Sequence, residues 1–499
     1  MASSPLEETP ADLPTPAAAA DALASSAPHA TAPAPDLDHG ISWNAALRVW
    51  IRVALLSFGG PAGQIAVMHR ILVEEKKWIS ESRFLHALNY CMLLPGPEAT
   101  QLITYIGWLI HRTLGGIVAG VLFILPGIVA LLALSYLYAG WHDLTFIQAL
   151  FFGLKPAVLA LVIEALVRIG KRALKTKLQL GLAAGAFLGL FFFAVPFPAI
   201  ILGAGLIGWL GGRIWPTLIP AGGGHSGNGA ANAVEPAVID AWIDRVQPEH
   251  IRPNTGRALR VLAVCLILWF GPLAIMLRFL PVSNVFVQED LFFSQAAVVT
   301  FGGAYSVLAY LAQQAVEHYH WLTAGQMLDG LGMAETTPGP LIMVLQFVGF
   351  MGAFNDASVH SGALHPMLAG TLAALLTTWV TFVPCFLWIF LGAPYIESLR
   401  SNKALGHALS GITASVVGVI LNLAVWFAMH TLFGKIDESW HGPARLLIPD
   451  LHSLEPGLAL LAAAALYATL RWKVGMVATL GGSALVGMAY FFARQAFLA

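Results

Sequence analysis

Charge is what this 499-residue chain has least of: Asp, Glu, Lys and Arg together make up 11% of it, against 58% hydrophobic residues. So little charge at this length, with a mean hydropathy of +0.74, excludes a soluble globular protein and defines a polytopic membrane protein. Acidic and basic side chains nearly cancel, at a net charge of −1, so nothing points to nucleic acid. Only three cysteines are present, Cys91, Cys265 and Cys385. Each sits alone in an apolar run, which argues against a disulfide framework and against a metal site. Also missing are a His-Glu-x-x-His pair, a Gly-x-Ser-x-Gly elbow and a nucleotide-binding loop. These absences argue against an intramembrane enzyme and against an ATP-driven pump. No cofactor is implied, and the histidines, among them His318, His320, His360 and His365, lack ligand spacing.

What the chain does have is long apolar runs. Residues 115–140, 146–167 and 366–392 are each long enough to cross a bilayer as a helix. Residues 1–40 are Ala/Pro/Ser-rich and lack the basic and apolar regions of a secretory signal, so they read as a disordered tail. A second low-complexity stretch, "PAGGGHSGNGAANAVEP", marks a cytoplasmic linker over 216–257 between membrane repeats at 41–215 and 258–499.

The repeats are visible in three matches. Ser57-Phe58-Gly59-Gly60 corresponds to Thr300-Phe301-Gly302-Gly303, Glu74 and Trp78 to Glu317 and Trp321, and Pro95-Gly96-Pro97 to Pro338-Gly339-Pro340. All share one offset of 243 residues, which chance rarely gives. Pro126 corresponds to Pro384 after a loop insertion. Arg70, Lys76, Lys77 and Arg83 lie between the two breaks of the first copy, whereas residues 304–326 of the second contain no Lys or Arg. Residues 168–177 are likewise basic, whereas 431–455 carry Lys435 and Arg445 against four carboxylates. Because Lys and Arg crowd cytoplasmic loops, the copies are expected to be inverted.

The Pro-Gly-Pro segments interrupt apolar runs whose halves are too short to span. They read as re-entrant hairpins, with a kinked single span as the alternative. Irregular backbone at membrane depth is tolerated where protein or a water-filled cavity satisfies it. A half-helix starting at such a turn aims its N–H groups and positive dipole end inward, roughly half a charge each. Four such ends suit a small doubly charged oxyanion. The expected fold is therefore an all-α polytopic membrane protein, an inverted duplication with helices broken at the Phe-Gly-Gly and Pro-Gly-Pro elements.

The strings "SFGGPAGQIAVMHRILVEEKKWIS", "LLPGPEATQLITYIGW" and "FILPGIVALL" resemble the chromate ion transporter family in its long, two-domain form. The resemblance runs from about Trp43 to Phe492 and is weaker in the second copy, where Leu341 and Val344 stand in place of Glu98 and Gln101. It implies export of chromate from the bacterial cytoplasm across the inner membrane, chromate resistance, and sulfate as a mimic. The implied partners are the anion and the lipid bilayer, and a homodimer stays open. A channel, or an importer of sulfate or another oxyanion on the same fold, is the competing reading.

The candidate substrate-binding residues are Gly59, Gly60, Gln64, Gly96, Pro97, Thr100, Gln101, Gly302, Gly303, Gly339 and Pro340. The glycines permit close backbone approach and the amides and hydroxyls donate hydrogen bonds; the competing roles are helix packing and interhelical bonding. Ser57, Thr300, Thr336 and Thr337 are weaker candidates. Glu98 and Glu335 flank the Pro-Gly-Pro turns as candidate proton carriers, with helix capping the alternative for Glu98. Lys155, inside an apolar run, is a candidate to attract the anion. Glu164 is expected to pair with Arg168, Arg48 and Arg52 to snorkel, and Trp78 and Trp321 to anchor at the membrane interface.

Overall fold

The computed structural model describes residues 39–58, 60–141, 144–214, 237–301, 303–362, 364–395 and 403–498. Residues up to Ile41 form a separate unit, and the architecture below is that of Ser42–Ala499. It is helical almost throughout. In the first copy α1 (Trp43–Leu56), α2 (Gly60–His69) and α3 (Glu81–Cys91) precede one continuous stretch, Glu98–Trp141. Non-helical backbone at His111 and Arg112 divides that stretch into α4 (98–110) and α5 (113–141). Then come α6 (Thr145–Ala173), α7 (Lys177–Phe193), α8 (Phe197–Ile214) and the short α9 (Val238–Val246).

The helix α10 (Thr255–Phe279) leads into the second copy: α11 (Val285–Val299), α12 (Ala304–Ala312), α13 (Ala324–Thr336), α14 (Val344–Asn355), α15 (Ala357–Ser361), α16 (Pro366–Gly392) and α17 (Lys403–Leu432). An antiparallel hairpin, β1 (Ile436–His441) with β2 (Ala444–Pro449), separates α17 from α18 (Pro456–Arg471) and α19 (Met476–Leu498). Among the described residues seven helical segments are long and apolar enough to cross a membrane.

The two copies agree in detail. Ser80 caps α3 and Thr323 caps α13, each accepting from the N–H three residues on. Each second half-helix runs into one π-turn, Arg70–Glu75 and Gln313–His318. Each π-turn is followed by a left-handed non-glycine residue, Lys77 at φ 50° and His320 at φ 54°. All of these pairs keep the 243-residue offset.

The Pro-Gly-Pro segments are hairpins. Gly330 of α13 lies against the ring of Phe347 of α14. Both ends of that hairpin meet, since Asn355 Nδ2 donates to the Trp321 carbonyl at 2.9 Å. In the first copy one peripheral segment touches both ends: Asp240 of α9 pairs with Arg83 at 2.8 Å, while the ring nitrogen of His250 lies 3.3 Å from the Leu109 carbonyl. This segment belongs to the stretch read as linker, whose residues 216–236 lie outside the described residues. Trp78 and Trp321 do not face lipid. They are 8% and 5% exposed, because the chain turns inward there: the backbone N–H of each tryptophan closes the preceding π-turn, on the carbonyls of Leu72 and Ala315.

The copies interlock reciprocally. Helices α7 and α8 pack on α17, while α18 and α19 pack on α6. Small residues allow the approach: a Cβ at Gly208 would lie 3.1 Å from Gly411 Cα, and Gly487 abuts Gly153 in the matching place. The corresponding helices α5 and α16 run antiparallel side by side. Gly116 meets Phe390 and Gly120 meets Phe386 near one end, while Tyr136 and Thr371 share a hydroxyl hydrogen bond of 2.6 Å near the other.

Candidate functional site

The four helix breaks come together by exchange between copies. The turn at Pro95-Gly96-Pro97 needs a residue that accepts positive φ, and Gly96 sits at φ 119°. Its N–H donates to the Thr300 carbonyl at 2.8 Å. In the second copy Gly339, at φ 103°, donates to the Ser57 carbonyl at 3.0 Å. Each Pro-Gly-Pro turn is thus bonded to the Phe-Gly-Gly break of the other copy. The hydroxyls of Ser57 and Thr300 both turn back onto their own helices, to Val53 and Ala296, each at 2.6 Å. That leaves the two carbonyls at these helix ends for the partner turn.

The same pairing extends to the helices behind. A Cβ on Gly96 would lie 2.9 Å from Cys385 Sγ, and one on Gly339 would lie 3.1 Å from Gly127 Cα. Cys385 and Gly127 are the residues after Pro384 and Pro126, so the expected correspondence of these two prolines is matched in space.

The polar residues of the first copy surround this centre. Gln64, 1% exposed, donates its amide to the Gly339 carbonyl at 2.5 Å. Gln101, fully buried, donates to the Pro95 carbonyl at 2.7 Å, and its Oε1 meets no donor among the described residues. The Thr100 hydroxyl is likewise buried without a partner among the described residues. Glu98 accepts a hydrogen bond from its own backbone N–H at the helix start, which is the capping role expected as the alternative. Its carboxylate also reaches the other copy, with Oε1 3.3 Å from where a Gly303 Cβ would stand. Pro97 and Pro340 are buried at the helix starts and Gly60 and Gly303 half-buried at the breaks. Gly59 and Gly302 lie outside the described residues.

The turn glycines' N–H groups are therefore spent on the facing copy rather than offered inward. What remains at each break is the first turn of a half-helix, whose initial N–H groups have no acceptor inside the helix.

Four predicted residues, Glu335, Lys155, Thr336 and Thr337, lie away from the cross-bonded turns or carry partners that sequence did not indicate. Glu335 accepts from the Tyr305 hydroxyl at 2.7 Å. Lys155 Nζ lies 3.5 Å from Asp329 Oδ1, and the Tyr138 hydroxyl donates to the other oxygen of Asp329 at 2.9 Å. Lys155 is thus tied to the second copy rather than exposed as a lone cation. Thr336 and Thr337 donate to carbonyls of their own helix. Glu164 pairs with Arg168 as expected, at 3.1 Å, and Arg52 pairs with Glu75 at 2.5 Å. Glu289 and Asp290, both fully buried in α11, were legible as charges in an apolar run yet carried no motif. Tyr305, Asp329 and Cys385 gave no signal, because their roles come from residues distant in sequence. No three His, Cys, Asp or Glu side chains gather as a metal site among the described residues.

A helical bundle of membrane-spanning length, with four helix breaks cross-bonded at its centre, defines the class of polytopic membrane transporters with discontinuous helices. The chromate transporter family model matches residues 45–209 and 290–488, one segment in each copy. The chain belongs to the chromate transporter family, and is a multi-pass protein of the bacterial inner membrane. It is 30% identical to the chromate transport protein of Pseudomonas aeruginosa over 74% of this chain and 77% of that one. It is 26% identical to the chromate transport protein of Cupriavidus metallidurans over 77% of this chain and 82% of the relative. The probable chromate transport protein of Synechococcus elongatus is 25% identical over 77% and 84%. No solved structure matches the chain.

Proposed function

We propose that the protein exports chromate from the bacterial cytoplasm, conferring chromate resistance, with sulfate as a competing mimic. The two copies act as inverted repeats around a midplane site. The observation that carries this reading is the reciprocal bonding of Gly96 to Thr300 and of Gly339 to Ser57. It gathers four half-helix starts at one place, where positive dipole ends and free N–H groups favour an oxyanion. The antiparallel course of α5 and α16 supports inversion, since copies related by an axis along the membrane normal would run these helices in parallel.

In this reading the first turns after the breaks hold the anion. Those turns include Gly60, Pro97, Thr100, Gly303 and Pro340; Gly59 and Gly302 stay candidates by sequence, outside the described residues. Gln64, Gln101, Gly96 and Gly339 set the positions of these turns and line the site. Glu98, aimed at Gly303, is the first choice as proton carrier, with Glu335 second; Lys155 adds positive charge at a distance. Export of a dianion from a negative-inside cell already gains about 5 kcal/mol per 100 mV, at about 2.3 kcal/mol per charge. Proton exchange is therefore an addition, not a necessity.

The test is chromate accumulation in inside-out vesicles under an inside-positive potential. Accumulation that excess sulfate suppresses is expected. No accumulation above empty vesicles overturns chromate as the substrate and leaves sulfate or another oxyanion to be tried in the same way.

A further inference from the structure

The two-stranded hairpin after α17 is mostly exposed, yet Arg445 on β2 is only 6% exposed. Its side chain points down between α17 and the π-turn that ends the first hairpin of the second copy. There its guanidinium meets Glu317 at 2.6 Å, while the other oxygen of Glu317 accepts the indole N–H of Trp426 at 3.0 Å. Arg445 Nε is buried and meets no acceptor among the described residues. A cavity of about 10 Å³ opens at this point, lined by Arg445, Glu317 and Trp426 together with the amide side chains of Gln313 and Asn422. That volume holds about one water, not a tetrahedral oxyanion.

A buried guanidinium with an unused donor, beside two amides and an indole N–H, is a donor set matched to an oxyanion. The resident carboxylate occupies the place an anion would take. The counterpart in the first copy differs: Glu74, at the position of Glu317, is exposed and lies 3.1 Å from His69.

We propose that Arg445, with Gln313 and Asn422, forms a second oxyanion site at the rim of the molecule. The site is latched by Glu317, which a passing dianion displaces from the guanidinium. This inference rests on the reading of the protein as an oxyanion transporter. It makes the 436–449 hairpin a gate on one face of the membrane, where an anion is held before it leaves or enters.

The experiment uses full-length protein in oriented proteoliposomes, with chromate flux measured from each face across a concentration series and sulfate as competitor. Arg445→Gln is expected to raise the half-saturating chromate concentration about tenfold from the hairpin face, and to leave the opposite face within about twofold. Glu317→Gln is expected to do the reverse, lowering that concentration, because the guanidinium is then free. Thermal unfolding of both variants separates folding defects from affinity changes, and Arg445→Lys, which keeps charge without the fork, is expected to recover part of the affinity. If the two substitutions shift both faces alike, or act in the same direction, the pair is structural and the inference is overturned. If the wild type moves neither chromate nor sulfate, the transport reading itself falls and takes this inference with it.

Discussion

The backbone N–H of Gly339 donates to the carbonyl of Ser57 at 3.0 Å, and the carbonyl of Gly339 accepts from Gln64 at 2.5 Å. One residue of the second copy is thus gripped from both sides by the first, at a place where no ordinary helix hydrogen bond is available. Removing the amide in Gln64→Ala leaves the buried Gly339 carbonyl without its donor, which costs about 1–3 kcal/mol. Thermal unfolding in detergent is expected to show a loss of that order, and chromate flux to fall roughly tenfold or more as the turn loosens. Unchanged flux and stability would remove Gln64 from the machinery.

The two turn glycines differ in what confronts them, and this gives opposite outcomes on repair. A methyl group at either position is strained by the positive φ, by about 1–3 kcal/mol. At Gly96 the further obstacles are two side-chain ends, the Cys385 sulfur and the Gln101 amide, whereas at Gly339 it is the backbone of Gly127. Gly96→Ala combined with Cys385→Ala is expected to recover part of the flux lost by Gly96→Ala. No side-chain truncation is available at Gly127 for Gly339→Ala. Flux assays on the three variants decide it: a double variant no better than Gly96→Ala shows that backbone strain or the Gln101 amide, not the sulfur, is limiting.

The offset of 243 residues made the duplication, the breaks and the π-turn region legible, because backbone punctuation by Pro and Gly survives divergence of the residues around it. Side-chain roles were less legible. Gln101 and Gln64 were read as ligands for an anion, yet their amides first of all bond the Pro95 and Gly339 carbonyls. Trp78 and Trp321 were read as interfacial because tryptophan favours that depth, but hairpin geometry buries them. The exchange of α7 and α8 for α18 and α19 between copies left no local signal at all. It depends on paired glycines such as Gly153 and Gly487, which are far apart in sequence.

Asp329 is 3% exposed and its Lys155 partner about a quarter exposed, so this ion pair lies between surface and core. Breaking it from one side leaves a charge in poor solvation, while neutralising both does not. Lys155→Met and Asp329→Asn are each expected to destabilise the protein, and the double variant to be closer to wild type than the sum. The coupling should be about 0.5–3 kcal/mol. Additive losses in the thermal cycle would show that the two residues act independently.

Glu98 and Glu335 make different contacts, and their substitutions should separate accordingly. Glu335→Gln keeps a hydrogen-bonding partner for Tyr305, so a small effect on both flux and stability is expected. Glu98→Gln removes the carboxylate that faces Gly303 across the copies. Flux driven by membrane potential is expected to persist in this variant, while the acceleration produced by an imposed pH gradient at zero potential disappears. A pH-gradient response equal to wild type in Glu98→Gln would exclude this carboxylate as the proton carrier.

Inversion of the copies is tested by labelling. His318 and Lys76 are both exposed; His318 is the last residue of the second copy's π-turn and Lys76 the first residue after the first copy's. The three native cysteines are buried, so a new thiol at either position is the accessible one. Lys76 lies beside Lys77, whose carbonyl accepts the N–H of Val238, and its surroundings are rich in Lys and Arg, which belongs on the cytoplasmic face. His318 is next to Glu317, which the 436–449 hairpin covers through Arg445. An impermeant maleimide added to intact cells is expected to label His318→Cys and to spare Lys76→Cys until the membrane is opened. Labelling of both from one side would mean that the two copies run in parallel. The antiparallel neighbours α5 and α16 would then have to be non-equivalent helices, and the alignment of Pro126 with Pro384 would fall as well.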